Sequence, residues 1–176
     1  MPLAHRIATR EDTAAIETLM RLSMRTLLKD VLTPIQVSKS FASMGLDTQL
    51  LDDGTYFLIF DKDMLVGCGG WSRRRTLFGG NHTLGRDDRL ADPETESAKI
   101  RAMYTHPDHV RRGIGKLLLE LGETAAKTEK FKSMELGATA SGILLYEKCG
   151  YDFIEDISQP DEDGVSVPII LMRKTL

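Results

Sequence analysis

The segment richest in chemical content is Arg111-Arg112-Gly113-Ile114-Gly115-Lys116. A strand-like run ending in Thr105-His106-Pro107 precedes it. After it, Ile114, Leu117, Leu118, Leu121 and Ala125 recur at helical spacing. The first amides of a helix have no internal partners, and the helix dipole leaves them partly positive, so such a turn suits a phosphate or pyrophosphate without metal. Glycine at 113 and 115 lets the backbone come close to a ligand, and Arg111, Arg112 and Lys116 add charge-assisted contacts. The bland alternative is a basic helix start whose glycines serve packing. A Walker A loop is excluded, because Val110 stands where its first glycine belongs and Leu117 where its Ser/Thr belongs. The dinucleotide pattern GxGxxG fails at Leu118.

Other reactive side chains assemble less well. His5, His82, His106 and His109 form no metal set, since proline and a turn separate the two that share a chelating spacing. Cys68 and Cys149 make neither a CxxC pair nor a disulfide framework, so a reducing interior is expected. Cys149 reads as a small buried residue. Arg73-Arg74-Arg75 has no interleaved aromatics and has Asp87, Asp88 and Asp92 nearby, which favours a solvated loop over a nucleic-acid patch. Glu155, Asp156, Asp161, Glu162 and Asp163 form an acidic stretch, of the kind common in solvated turns, that would favour a cationic ligand if it flanked a site.

The elements that must position these residues follow from periodicity and caps. Leu3 to Ala8 reads as a strand, and Thr9-Arg10-Glu11-Asp12 opens a long helix with Ile16, Leu19, Met20, Met24, Leu27 and Leu28 on one stripe. Thr33-Pro34-Ile35-Gln36 starts a second helix that Gly45 ends. Tyr56–Phe60 and Met64–Trp71 form a hairpin. Residues 73–96 are a long loop, functional or mobile. Ser97–Thr105 is the next strand, followed by the helix after Gly113. Ser133–Ala138, a short helix over Ser141–Lys148, Tyr151–Ile157 and Val167–Met172 complete the chain, with Pro168 favouring an edge or bulge. The fold class is α/β, a mixed sheet with one parallel strand–helix–strand crossover, in one domain spanning residues 1–176.

Thr105-x-Pro107 followed by Arg111-Arg112-Gly113-Ile114-Gly115 resembles motif A of the GNAT N-acetyltransferases. Leu144-Leu145-Tyr146-Glu147-Lys148-Cys149-Gly150-Tyr151 resembles motif B of the same family, in the right order and at the right separation. The element order also resembles that fold along nearly the whole chain, least so in residues 73–96. The resemblance implies acetyl-CoA as cosubstrate. Backbone groups of Met103, Tyr104 and Thr105 would pair with its pantetheine arm, and the amides of Arg111, Arg112, Gly113, Ile114, Gly115 and Lys116 would hold its pyrophosphate. Thr139 replaces a frequent asparagine, and Val110 replaces a Gln or Arg. Tyr146 matches the tyrosine near the coenzyme sulfur that acts as general acid; its bland alternative is a packed aromatic on a short helix.

The implied reaction is direct attack of a neutral primary amine on the thioester, with an amide of the Met103–Thr105 strand serving the oxyanion. No general base stands out: Glu94, Glu96 and Tyr104 are ordinary candidates, and water is another. The expected acceptor is a small-molecule amine. The alternatives are a lysine or N-terminal protein acetyltransferase, or a non-catalytic acyl-CoA-binding regulatory module. A homodimer is open by analogy. The 176 residues carry 41% hydrophobic and 28% charged side chains and a net charge of -3. No global positive field therefore draws the chain to nucleic acid or anionic lipid. No signal peptide or membrane-length apolar run is present, so the expected location is the cytoplasm.

Overall fold

In Tyr56-Phe57-Leu58-Ile59 every position is apolar, a pattern that fits a strand covered on both faces. The computed structural model, which describes residues 2–176, bears this out. Tyr56 and Leu58 pack with Ile16, Leu19, Met20 and Met24, while Phe57 and Ile59 pack with Ile114, Leu118 and Leu119 on the opposite side.

The strand belongs to a seven-stranded sheet. Its members are β1 (Ala4–Ile7), β2 (Tyr56–Asp61), β3 (Met64–Ser72), β4 (Ala98–Thr105), β5 (Ser133–Thr139), β6 (Asp152–Asp156) and β7 (Ile169–Thr175). Their spatial order is β1-β2-β3-β4-β5-β7-β6. Every pairing is antiparallel except β4–β5, which the helix α4 (Ile114–Thr128) connects. Helices α1 (Thr13–Leu27) and α2 (Pro34–Ser43) belong to the layer opposite α4. The mixed sheet with its single parallel crossover is the arrangement the sequence predicts.

The capping residues act as their types suggest. The Asp12 carboxylate accepts from the Thr9 amide at 2.8 Å, although a short 3₁₀ turn over Arg10–Asp12 delays α1 to Thr13. Gln36 Oε1 accepts from the Thr33 amide at 3.0 Å, and Pro34 occupies the first turn of α2.

Three features differ from expectation. A short helix, α3 (Thr48–Asp52), follows Asp47, whose carboxylate caps the Gln49 amide at 3.0 Å; five residues are too few to show a period. Pro168 lies neither on an edge nor in a bulge. Strand β7 begins one residue later and sits between β5 and β6, so the missing N–H falls outside the ladder. Residues 73–96 are irregular but tied down. Arg75 N donates to Arg89 O at 2.9 Å and Ala91 N to Arg73 O at 2.8 Å at the base, while Asn81 N reaches Leu46 O at 3.0 Å at the tip. Among the described residues no helix is long and apolar enough to cross a membrane.

Candidate active site

Strands β4 and β5 pair only at Ala98↔Met134 and Lys99↔Glu135. Beyond Lys99 they splay, and β4 has no ladder partner on that side. The cause lies within β4. Between Cys68↔Tyr104 and Gly70↔Arg101 it carries an extra residue, a bulge with Ala102 at φ 50. Two neighbours hold this bulge. The buried Tyr56 hydroxyl donates to Ala102 O at 2.7 Å. Gly69 leaves room for Met103, since a Cβ there would lie 2.7 Å from Met103 Cγ and 3.1 Å from its Cα.

The splay opens a cleft of about 500 Å³. One wall is Met103, Tyr104 and Thr105; its floor is the turn into α4. Arg111 (φ 61) and Gly113 (φ 83) are both left-handed, an alternation that turns successive amides toward one concavity. The first intrahelical bond runs from Leu117 N to Gly113 O at 2.9 Å, so the Ile114, Gly115 and Lys116 amides precede the ladder. The two glycines serve different ends. A Cβ on Gly113 would meet nothing, so its backbone conformation is what requires glycine. A Cβ on Gly115 would lie 2.5 Å from Leu145 Cδ2, so its bareness seats α4 against α5 (Ile143–Lys148).

Tyr146, on α5, lines the cleft. It also lines a second, smaller cavity of about 70 Å³. Met44, Met103, Tyr104 and Thr139 are likewise common to both. Burial pushes the Tyr146 hydroxyl up to about 12, so it holds its proton as a ready donor. Its ring lies against bare Gly142, where a Cβ would approach to 2.6 Å.

Of the residues singled out in the sequence, Met103, Tyr104, Thr105, Arg111, Gly113, Ile114, Gly115, Lys116, Thr139 and Tyr146 all line the cleft. Arg112 does not; its guanidinium binds Asp61 at 2.7 Å, leaving only its amide on the turn. Residues with no motif signal add to the walls, Ser23, Met24 and Leu27 from α1 and Leu28 just after it, and Lys148 of the second motif brings a further cation. Periodicity marks such apolar positions as core and cannot separate cleft from interior.

Other candidates are engaged elsewhere. Arg73 pairs with Glu129, Arg74 with Asp53 and Arg75 with Glu96, which leaves none of the three for a phosphate. Among the candidate bases, Glu96 is held by the Asp92 amide and Arg75 and lies below the usual carboxylate range, while Glu94 pairs with Lys132. Burial raises Tyr104 well above its ordinary value, which removes it as a base near neutrality. Burial raises Cys149 as well, against thiolate chemistry. In the acidic stretch, Asp161 and Asp163 both bind Lys39 of α2.

The family described as acetyltransferase (GNAT) matches residues 18–151 of the chain. The uncharacterized N-acetyltransferase YsnE of Bacillus subtilis is 25% identical over 141 residues, covering 77% of this chain and 81% of YsnE. Among solved structures, a GCN5-related N-acetyltransferase from Rhodopseudomonas palustris superposes with a TM-score of 0.72 at 18% identity, covering 100% of this chain and 97% of that one. YncA from Salmonella typhimurium, solved with acetyl-CoA, gives 0.63 at 19% identity, covering 99% and 94%.

Proposed function

The chain belongs to the GNAT family of acetyltransferases, and on that premise we propose that residues 1–176 form one catalytic domain moving the acetyl group of acetyl-CoA to a primary amine of a small molecule. The observation that carries this reading is the meeting of two cavities at Tyr146, one large and lined by a phosphate-type turn, the other small.

The residues present fit the coenzyme. Free amides at 114–116, with Lys116 and Lys148 at the rim, suit a pyrophosphate. The unpaired side of β4 at Met103–Thr105 offers backbone groups to the amide-bearing pantetheine arm, as an added strand would use them. Bound acetyl-CoA supplies an activated thioester.

The chain's own groups then have defined tasks. An amide of the unpaired β4 segment meets the negative charge growing on the acetyl oxygen. Tyr146, protonated throughout the working range, donates at the departing sulfur. No carboxylate or histidine lines either cavity, so the amine sheds its proton to water.

The test is thiol release from acetyl-CoA in the presence of primary amines, with no metal added, in the native chain and in Tyr146→Phe. The variant should lose about 10²-fold in kcat while its affinity for acetyl-CoA stays within error. Unchanged turnover would strip Tyr146 of its role.

A further inference from the structure

The small cavity beside Tyr146 has a definite size and a definite charge environment. It is lined in part by Met44, Phe78, Met103, Gly137, Tyr146 and Ile169, and no acidic, basic or histidine residue contributes to its wall. Its volume of about 70 Å³ is roughly half that of an engineered apolar cavity that takes benzene, which leaves room for a few carbon atoms. Two residues fix this limit. Gly137 faces the Phe78 ring and Ile169: a Cβ there would stand in tight contact 3.3 Å from Ile169 Cγ2 and in ordinary contact 3.5 Å from Phe78 Cδ1, so a branched side chain would crowd them.

The charges behind the wall point the same way. Arg101, 2% exposed, donates to Gly79 O at 2.7 Å and Thr76 O at 3.2 Å, clamping the segment that carries Phe78. Its counter-charge is Asp47, which also binds Arg86 at 2.6 Å, so two guanidinium groups share one carboxylate. The wall is mixed, with Ser43, Tyr104 and Thr139 beside the apolar side chains but no carboxylate, so the net positive charge of this cluster opposes a further cation and favours the neutral form of an amine. Asp161 and Asp163 are not part of the cavity wall, and both bind Lys39.

We infer that the acceptor is a compact aliphatic primary amine without a second positive charge, its substituent held in this cavity with Phe78 and Gly137 setting the size limit. The inference rests on the proposed acetyl transfer and narrows its substrate. In that transfer the nitrogen–carbon bond forms as the carbon–sulfur bond breaks. One amine proton is lost, one proton arrives on sulfur, and the products are a neutral amide and the free thiol.

The experiment compares kcat/KM for propylamine, isobutylamine, benzylamine, putrescine and spermidine at one pH, in the native chain, Gly137→Val and Phe78→Ala. Acetyl-CoA affinity is measured for each by calorimetry. The native chain should favour the short monoamines over putrescine and spermidine by at least about tenfold. Gly137→Val should lower isobutylamine turnover by at least about tenfold with acetyl-CoA affinity retained, and Phe78→Ala should raise the relative rate on benzylamine. A preference for spermidine or putrescine, or a Gly137→Val enzyme with native selectivity, overturns the inference and leaves the proposed activity standing. Acetyl-CoA binding with no thiol release to any amine overturns the proposed activity, and the inference with it.

Discussion

At the scale of single residues, the question is how Tyr146 acts with its hydroxyl pushed up to about 12. A group whose pKa is raised stays protonated at every pH below the raised value. Tyr146 therefore contributes no alkaline fall in rate below roughly pH 10. The ionisation that does fall in the working range is that of the amine, with an ordinary value of about 10, and only its neutral form attacks. The expected pH–rate profile is a kcat/KM that climbs toward the amine's own pKa with no descending limb before it; initial rates across pH check this. A descending limb near neutrality would reveal an acid the structure does not supply. Gly113 and Gly115 show why residue type alone underdetermines role. Both read as ligand-approach glycines, yet the first is needed for its φ of 83 and the second for room beside Leu145.

At the scale of elements, the bulge in β4 makes the site, because it turns the strand away from β5 after two paired positions. Gly69→Val would push on Met103 at that bulge. The expected cost is about 1–3 kcal/mol in urea denaturation together with weaker acetyl-CoA binding. Much of the scaffold around the bulge was legible in the sequence. Thr9 and Thr33 announce their helices, the stripe from Ile114 to Ala125 announces α4, and a strand on each side of α4 implies the parallel crossover. The bulge was not legible, since Ala102 carries no turn signal and its left-handed φ is imposed by Tyr56 and Gly69 from β2 and β3. Helix α3 is too short to show periodicity, and β7 begins after Pro168 for a reason that only its central place in the sheet reveals. In the cleft, the short motifs marked the turn, the β4 wall and Tyr146. Phe78 and the α1 positions were hidden, because an apolar side chain that lines a cavity has the same sequence signature as one that fills a core.

At the scale of the whole molecule, the long loop, α3 and β4 are joined through one buried cluster, Arg101–Asp47–Arg86. Removing the carboxylate with Asp47→Ala leaves Arg101 buried without a counter-charge. The expected loss is about 3–5 kcal/mol by chemical denaturation, with acceptor selectivity loosened in whatever fraction remains folded. All of these claims depend on the cleft being the acetyl-CoA site. The most direct test is calorimetric titration of the purified chain with acetyl-CoA, beside ATP and a coenzyme lacking the sulfur, in the native protein and in Gly113→Val. The expected result is saturable, metal-independent binding to the native chain that ATP does not match and that Gly113→Val weakens by about tenfold or more, since a branched residue at that left-handed position distorts the amide cradle. A well-folded native sample that fails to take up acetyl-CoA, or a variant that binds it as tightly as the native chain, would contradict the assignment of the turn.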